Sequence, residues 1–145
     1  MRRLVIGLFL VVICIQQGLA QLSERSVIEQ LVSESYVGPV YARTDISAMK
    51  RGFHENFTHY ILEDGKLVTQ NLEEWIKEIE EARKEKRSRS TFEWLYELID
   101  VEDQTALVKL RIAENGQIRF VDYLTLYKFP RQGWKIITKE YSTYN

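Results

Sequence analysis

Helical periodicity confined to the first part of the chain, strand periodicity unbroken from residue 92 onward, and only short turns between those strands predict an α+β fold. Its helices should gather on one face of an antiparallel sheet, because strands joined by turns of three or four residues pair as a meander. The chain has 145 residues, 45% of them hydrophobic, which suffices for one packed core and is too short for two.

The first helix starts after Leu22, where Ser23 is a suitable N-cap and Val27, Ile28, Leu31, Val32, Ser35 and Tyr36 recur at three and four. Gly38-Pro39 is expected to stop it. A second helix is predicted from Asp45 to about Asn56, with Ile46, Met49, Phe53 and Phe57 on its buried edge. Thr58 to Leu62 and Leu67-Val68-Thr69 flank Glu63-Asp64-Gly65-Lys66, which is a hairpin pattern. Asn71 with Glu74 forms a capping box opening a third helix to about Glu85, with Trp75, Ile76, Ile79 and Ala82 on one face. Strands are then predicted at Phe92 to Val101, Thr105 to Ala113, Gln117 to Phe129 and Trp134 to Tyr141. Strict alternation puts Phe92, Trp94, Tyr96 and Leu98 on one face of the first of these and Leu95, Ile99 and Val101 on the other. Such a strand has no wet side, so a second copy of the chain is expected to cover the outer face of the sheet as a homodimer.

Twenty Lys and Arg against 21 Asp and Glu give no basic field that would attract nucleic acid. The basic run Arg83, Lys84, Lys86, Arg87 and Arg89 falls at a helix end without interleaved aromatics, which suits compensation of the helix dipole. Met1-Arg2-Arg3, the apolar run Leu4 to Ile15 and the small residues before Gln21 read as a secretory signal peptide cut after Ala20, leaving residues 21–145 as one domain. The apolar run is too short for a stable membrane anchor. The single cysteine, Cys14, leaves with that segment, so the remainder has no disulfide and no cysteine-based metal site. The expected location is periplasmic or extracellular.

Several stretches resemble the nuclear transport factor 2-like superfamily, and within it the exported "putative lumazine-binding" branch. They are Tyr36-Val37-Gly38, Asp45 to Phe57 (DISAMKRGFHENF), Asn71-Leu72-Glu73-Glu74-Trp75, Phe120 to Leu126 (FVDYLTL) and Gly133 to Lys139 (GWKIITK). The resemblance implies a cystatin-like cone, in which three helices close a strongly bent antiparallel sheet. It does not imply an activity, since the superfamily holds isomerases, cyclases, dehydratases, transport factors and members without known chemistry.

Asp122 is the most informative residue, because period two places it beside Phe120, Leu124 and Leu126 on the core face of its strand. A carboxylate there must be either held neutral or satisfied by a cation or a hydroxyl. Similarity to the ketosteroid isomerases matches Asp122 and Tyr36 to the two hydrogen-bond donors of an oxyanion site. The isomerase base should lie near Glu63 or Asp64, whose Glu-Asp-Gly-Lys context reads as a solvated turn. His54, near the end of the second predicted helix, could overlook the mouth of the cone or simply pack there. The expected pocket is Tyr36, Phe53, His54, Trp75, Trp94, Phe120, Asp122 and Leu124, with Asp122, Tyr36 and His54 as the catalytic candidates. No metal is expected, because His54 and His59 alone make no closed ligand set, and no cofactor is expected. Three functions follow: binding of a small, partly apolar ligand or an accessory role without catalysis; acid-base chemistry of the isomerase or cyclase kind by Asp122 with Tyr36 or His54; or a filled cone serving as a protein-interaction module.

Overall fold

The computed structural model describes residues 23–85 and 90–144. The signal-peptide reading of residues 1–20 and the basic residues Lys86, Arg87 and Arg89 lie outside the described residues.

Residues 23–40 form one helical run, α1, which Gly38-Pro39 does not stop. The run widens into a π turn over Ser33–Val37, where the Gly38 amide reaches back to the Ser33 carbonyl, and continues through Gly38–Val40. Pro39 falls where the hydrogen-bond ladder changes from the wide spacing of the π turn to the last α turn, so its missing N–H coincides with an existing irregularity of the run. The wider turn lets three consecutive residues, Ser35, Tyr36 and Val37, all be buried.

Helix α2 is short, Ala48–Gly52, and ends four residues before the predicted end near Asn56. Phe53 is already extended and opens β1, Phe53–Glu63. The spacing of Met49, Phe53 and Phe57 suits a helix, yet as the first and fifth residues of a strand the two phenylalanines also fall on one face, and both are buried from β1. Gly52 is required at the junction, since a methyl group there would overlap the Cβ and Oγ of Ser35 on α1.

Strand β1 turns through Asp64-Gly65 into β2, Lys66–Asn71; both turn residues have positive φ, the conformation a two-residue hairpin needs. Helix α3, Leu72–Lys84, carries the predicted capping box. The Glu74 amide donates to Asn71 Oδ1 at 3.0 Å and the Asn71 amide to Glu74 Oε2 at 2.9 Å. At its far end Arg83 donates to the Pro39 and Thr44 carbonyls, tying α3 to the connection between α1 and α2.

The remaining strands are β3 (Phe92–Glu102), β4 (Thr105–Glu114), β5 (Gln117–Phe129) and β6 (Gly133–Thr143), within two residues of expectation at each end. The six strands form one sheet in the order β2-β1-β6-β5-β4-β3. The expected fully antiparallel sheet is corrected at one joint, where β1 runs parallel to β6. The α+β class holds, with a mostly antiparallel sheet whose inner face packs on Ile28, Val32 and Tyr36 of α1, Met49 of α2, and Trp75 and Ile76 of α3.

Two bulges decide which side chains reach that inner face. The register of β3 against β4 slips between Tyr96 and Leu98, so Ile99 and Val101 turn inward opposite Val108 and Ala106 while Leu98 turns outward opposite Lys109. The predicted split of β3 into two apolar faces is therefore replaced by an inner set that runs from Phe92, Trp94 and Tyr96 into the buried Ile99 and Val101, and an outer set that includes Leu95 and Leu98. A second slip, between Thr125 and Leu126 of β5, leaves Ile137 of β6 without a partner. Ile136 faces inward before it, and Lys139 and Tyr141 face inward after it.

Candidate functional site

The π turn of α1 and the bulge facing β6 bring their inward residues, Tyr36 and Lys139, to Asp122. The side chain is fully buried on β5, and its Oδ2 accepts the Tyr36 hydroxyl at 2.5 Å and the Tyr41 hydroxyl at 3.0 Å. The π turn supplies Tyr36 and the residue just after α1 supplies Tyr41; their hydroxyls lie 3.1 Å apart. Oδ1 faces the Lys139 ammonium at 3.5 Å, and Lys139 is itself only 4% exposed. Lys139 Nζ donates to His59 Nε2 at 3.3 Å. His59 must then carry its proton on Nδ1, which donates to Gln70 Oε1 at 3.3 Å. Gln70 Nε2 in turn donates to Glu78 Oε2 at 2.6 Å. A polar line thus crosses the core from Tyr41 to the surface of α3.

Burial sets the charge state along this line. It pushes the Tyr36 and Tyr41 hydroxyls well above the ordinary phenol range, so both remain donors. It holds the Lys139 ammonium below its usual value, an effect Asp122 opposes. Burial, then the adjacent Lys139 charge, lowers His59 to about 4, with the Gln70 hydrogen bond opposing. Lys139 also lies among aromatic rings, 4.2 Å from the Tyr141 centroid and 5.7 Å from that of Trp75.

The interior expected to be hollow is occupied. Tyr36, Phe53, Phe57 and Trp75 pack on one another with ring centroids 4.7 to 6.4 Å apart. Space opens instead at the edge, in a cleft of ≈ 350 Å³ between the β1–β2 hairpin, α3 and β6. His59, Ile61, Gln70, Trp75, Glu78 and Tyr141 are among its walls. A second hollow, ≈ 300 Å³, lies beside Tyr41, Arg43 and Phe92.

A family model described as "Putative lumazine-binding" matches residues 23–142. The chain belongs to this family. Solved structures similar to the lumazine-binding family chain are of low identity and bear on its fold alone. One is an NTF2-like protein of unknown function from Shewanella baltica, with 21% identity, a TM-score of 0.69, and coverage of 86% of this chain and 96% of the other. Another is an NTF2-like superfamily protein from Salmonella enterica, with 14% identity, a TM-score of 0.61, and coverage of 86% and 94%. A third, described as a "putative ketosteroid isomerase", comes from Parabacteroides distasonis and has 15% identity, a TM-score of 0.58, and coverage of 81% and 86%. No curated protein matches the chain.

Among the residues singled out from the sequence of this lumazine-binding family member, the structure joins Tyr36 to Asp122 and packs Phe53 and Trp75 around them. Leu124 is buried beside them, and Phe120 packs toward Tyr41 and Tyr141. His54 is not brought to the site. Because β1 begins at Phe53, alternation sends His54 to the opposite face, where it stacks on Phe129 at 4.6 Å. Trp94 shares the inner face with Ile112 by register but is 41% exposed and lines neither hollow. Glu63 reaches the edge cleft, whereas Asp64 lies in the turn. His59, Lys139 and Tyr41 complete the site and were not among the expected pocket residues. Alternation of Phe57, His59 and Ile61 could have found the first; the bulge hides the second. Among the described residues, no three His, Cys, Asp or Glu side chains gather as a metal site.

Proposed function

We propose that this chain is an exported protein that binds a small, partly apolar ligand in the cleft between the β1–β2 hairpin, α3 and β6, without catalysis. One observation carries this reading: the centre of the fold is filled by aromatic rings while the edge cleft stays open, with apolar Ile61, Val68 and Trp75 beside polar His59 and Gln70. What favours binding over acid-base chemistry is the occupancy of the would-be catalytic groups. Asp122 is engaged by two hydroxyls and an ammonium, and both ring nitrogens of His59 are already hydrogen-bonded, to Lys139 and to Gln70, so neither offers a free site for proton exchange with a guest. The test is ¹H–¹⁵N NMR of the protein titrated with small heterocycles, lumazine among them. Shifts should cluster at His59, Gln70, Trp75 and Tyr141, and shifts confined to other surfaces would overturn the reading.

Export and self-association belong to the same proposal. Mass spectrometry of the secreted protein should find Gln21 at its N-terminus; retention of residues 1–20 would refute export by cleavage. Among the described residues no helix is long and apolar enough to cross a membrane. The outer face of the sheet presents Leu95, Leu98, Leu107, Tyr123 and Tyr127, each at least 36% exposed, around Glu97 paired to Lys109 and Arg111. A second copy fits this face, since it offers apolar area and both signs of charge. Light scattering should give twice the chain mass, reverting to the monomer in Leu98→Lys.

A further inference from the structure

Resting on the reading of the edge cleft as a ligand site, we propose that its ligand is a small organic cation, an ammonium carried on an aromatic or aliphatic body. Three carboxylates line the cleft: Glu63 from β1, and Glu74 and Glu78 one turn apart on α3. Among the described residues, no lysine or arginine lines the cleft. The nearest buried cation, Lys139, stands behind His59 and is matched by Asp122 on its far side, so it offers an anionic guest nothing. His59 itself is neutral, with one nitrogen accepting from Lys139 and the other donating to Gln70.

A second observation, separate from the carboxylates, concerns the wall they surround. The Tyr141 and Trp75 rings that border the cleft already hold an ammonium from the inside, 4.2 and 5.7 Å from their centroids. Ring walls of this kind attract cations through the negative face of the π system; the Lys139 charge behind Tyr141 opposes a second cation but is countered by Asp122 at 3.5 Å, and Glu63 and Glu78 beside the ring supply the attraction on the cleft side. The pair Glu74 and Glu78 is also a like-charge contact at i and i+4, which weakens a helix, and a bound cation removes that repulsion. At ≈ 350 Å³ the cleft is at the small end of the roughly 300–1,000 Å³ typical of small-molecule sites, which fits a compact amine rather than a nucleotide.

Three probes with one skeleton separate charge from shape: phenethylammonium, 2-phenylethanol and 3-phenylpropanoate, each titrated by ¹H–¹⁵N NMR at low ionic strength. The expected order of affinity is cation, then alcohol, then carboxylate, with the cation's affinity falling as salt rises. In the variant Glu63→Gln, Glu74→Gln, Glu78→Gln, cation affinity should fall roughly tenfold while the alcohol is unaffected. Glutamine at 74 keeps the capping box and at 78 keeps the acceptor for Gln70, so the fold is retained. Equal binding of the three probes at the cleft, or a cation affinity untouched by the triple substitution, overturns the cationic ligand and leaves the cleft as a binding site. No shift at the cleft with any probe overturns both.

Discussion

The substitution His59→Gln tests the buried polar line where it is most constrained. The introduced amide can accept from Lys139 through its oxygen and donate to Gln70 through its nitrogen, reproducing the neutral imidazole without its titration. In the wild type the imidazole titrates at about 4 in the fold against 6.5 when unfolded. Between those values the unfolded chain binds the extra proton, so stability rises with pH through this window. The contribution is complete above 6.5 and is lost as pH falls toward 4. At about 1.36 kcal/mol for each pH unit, the displacement from 6.5 to about 4 is worth roughly 3 kcal/mol; contact with solvent through the cleft reduces this to about 2 kcal/mol. Urea unfolding at pH 7.5, 6, 5 and 4 measures it. Carboxylates held low by ion pairs, such as Glu24 and Glu97, lose stability in the same direction, but equally in both proteins. The difference between His59→Gln and wild type should therefore move by about 2 kcal/mol in favour of the variant from pH 7.5 to 4, close to 1 M urea at the midpoint. Parallel pH profiles would show that His59 is not held neutral, and would remove the account of the line.

Other substitutions probe its neighbours. Lys139→Met leaves Asp122 without its cation; at 3.5 Å the pair's attraction is on the order of 5 kcal/mol at an effective dielectric of 20, and a loss of about 3–5 kcal/mol in urea unfolding is expected. Tyr36→Phe removes the 2.5 Å bond to a buried carboxylate and should destabilise by about 1.5–3 kcal/mol, more than Tyr41→Phe with its 3.0 Å bond. Their double variant should deviate from additivity, because the two hydroxyls share one oxygen. Gly52→Ala forces a methyl into Ser35 and should lower stability by about 1–3 kcal/mol, whereas a neutral result would mean that α2 can shift.

Much of this architecture is readable from residue patterns, and the failures within the sheet share one cause. The capping box at Asn71, the Asp64-Gly65 turn and the ends of β3 to β6 depend on local chemistry, which a sequence displays. Bulges depend on the partner strand. Trp134 and Ile136 predict Thr138 and Glu140 inward, yet the slip at Ile137 delivers Lys139 and Tyr141 instead. Phe53 and Phe57 suit a helix edge by spacing, and only the pairing of β1 with β6 makes them strand residues, which in turn moves His54 off the site. Asp122 and Tyr36 were legible because β5 keeps its alternation through residues 120 to 125 and Tyr36 continues the apolar stripe of α1. Their partner Lys139 was not, so the sequence left the charge of Asp122 open where the structure answers it with an ammonium.

The parallel joint between β1 and β6 also dictates when the cleft can exist. His59 and Lys139 are 80 residues apart in the chain, and Tyr141 arrives only with the final strand. None of these contacts forms until β6 docks on β1, and closing so long a loop is slow compared with the local β3–β4 and β4–β5 hairpins. Chevron kinetics of substitutions along the polar line place it on the folding route: a line formed after the rate-limiting barrier accelerates unfolding when broken and leaves the folding rate almost untouched, whereas a line formed at the barrier slows folding.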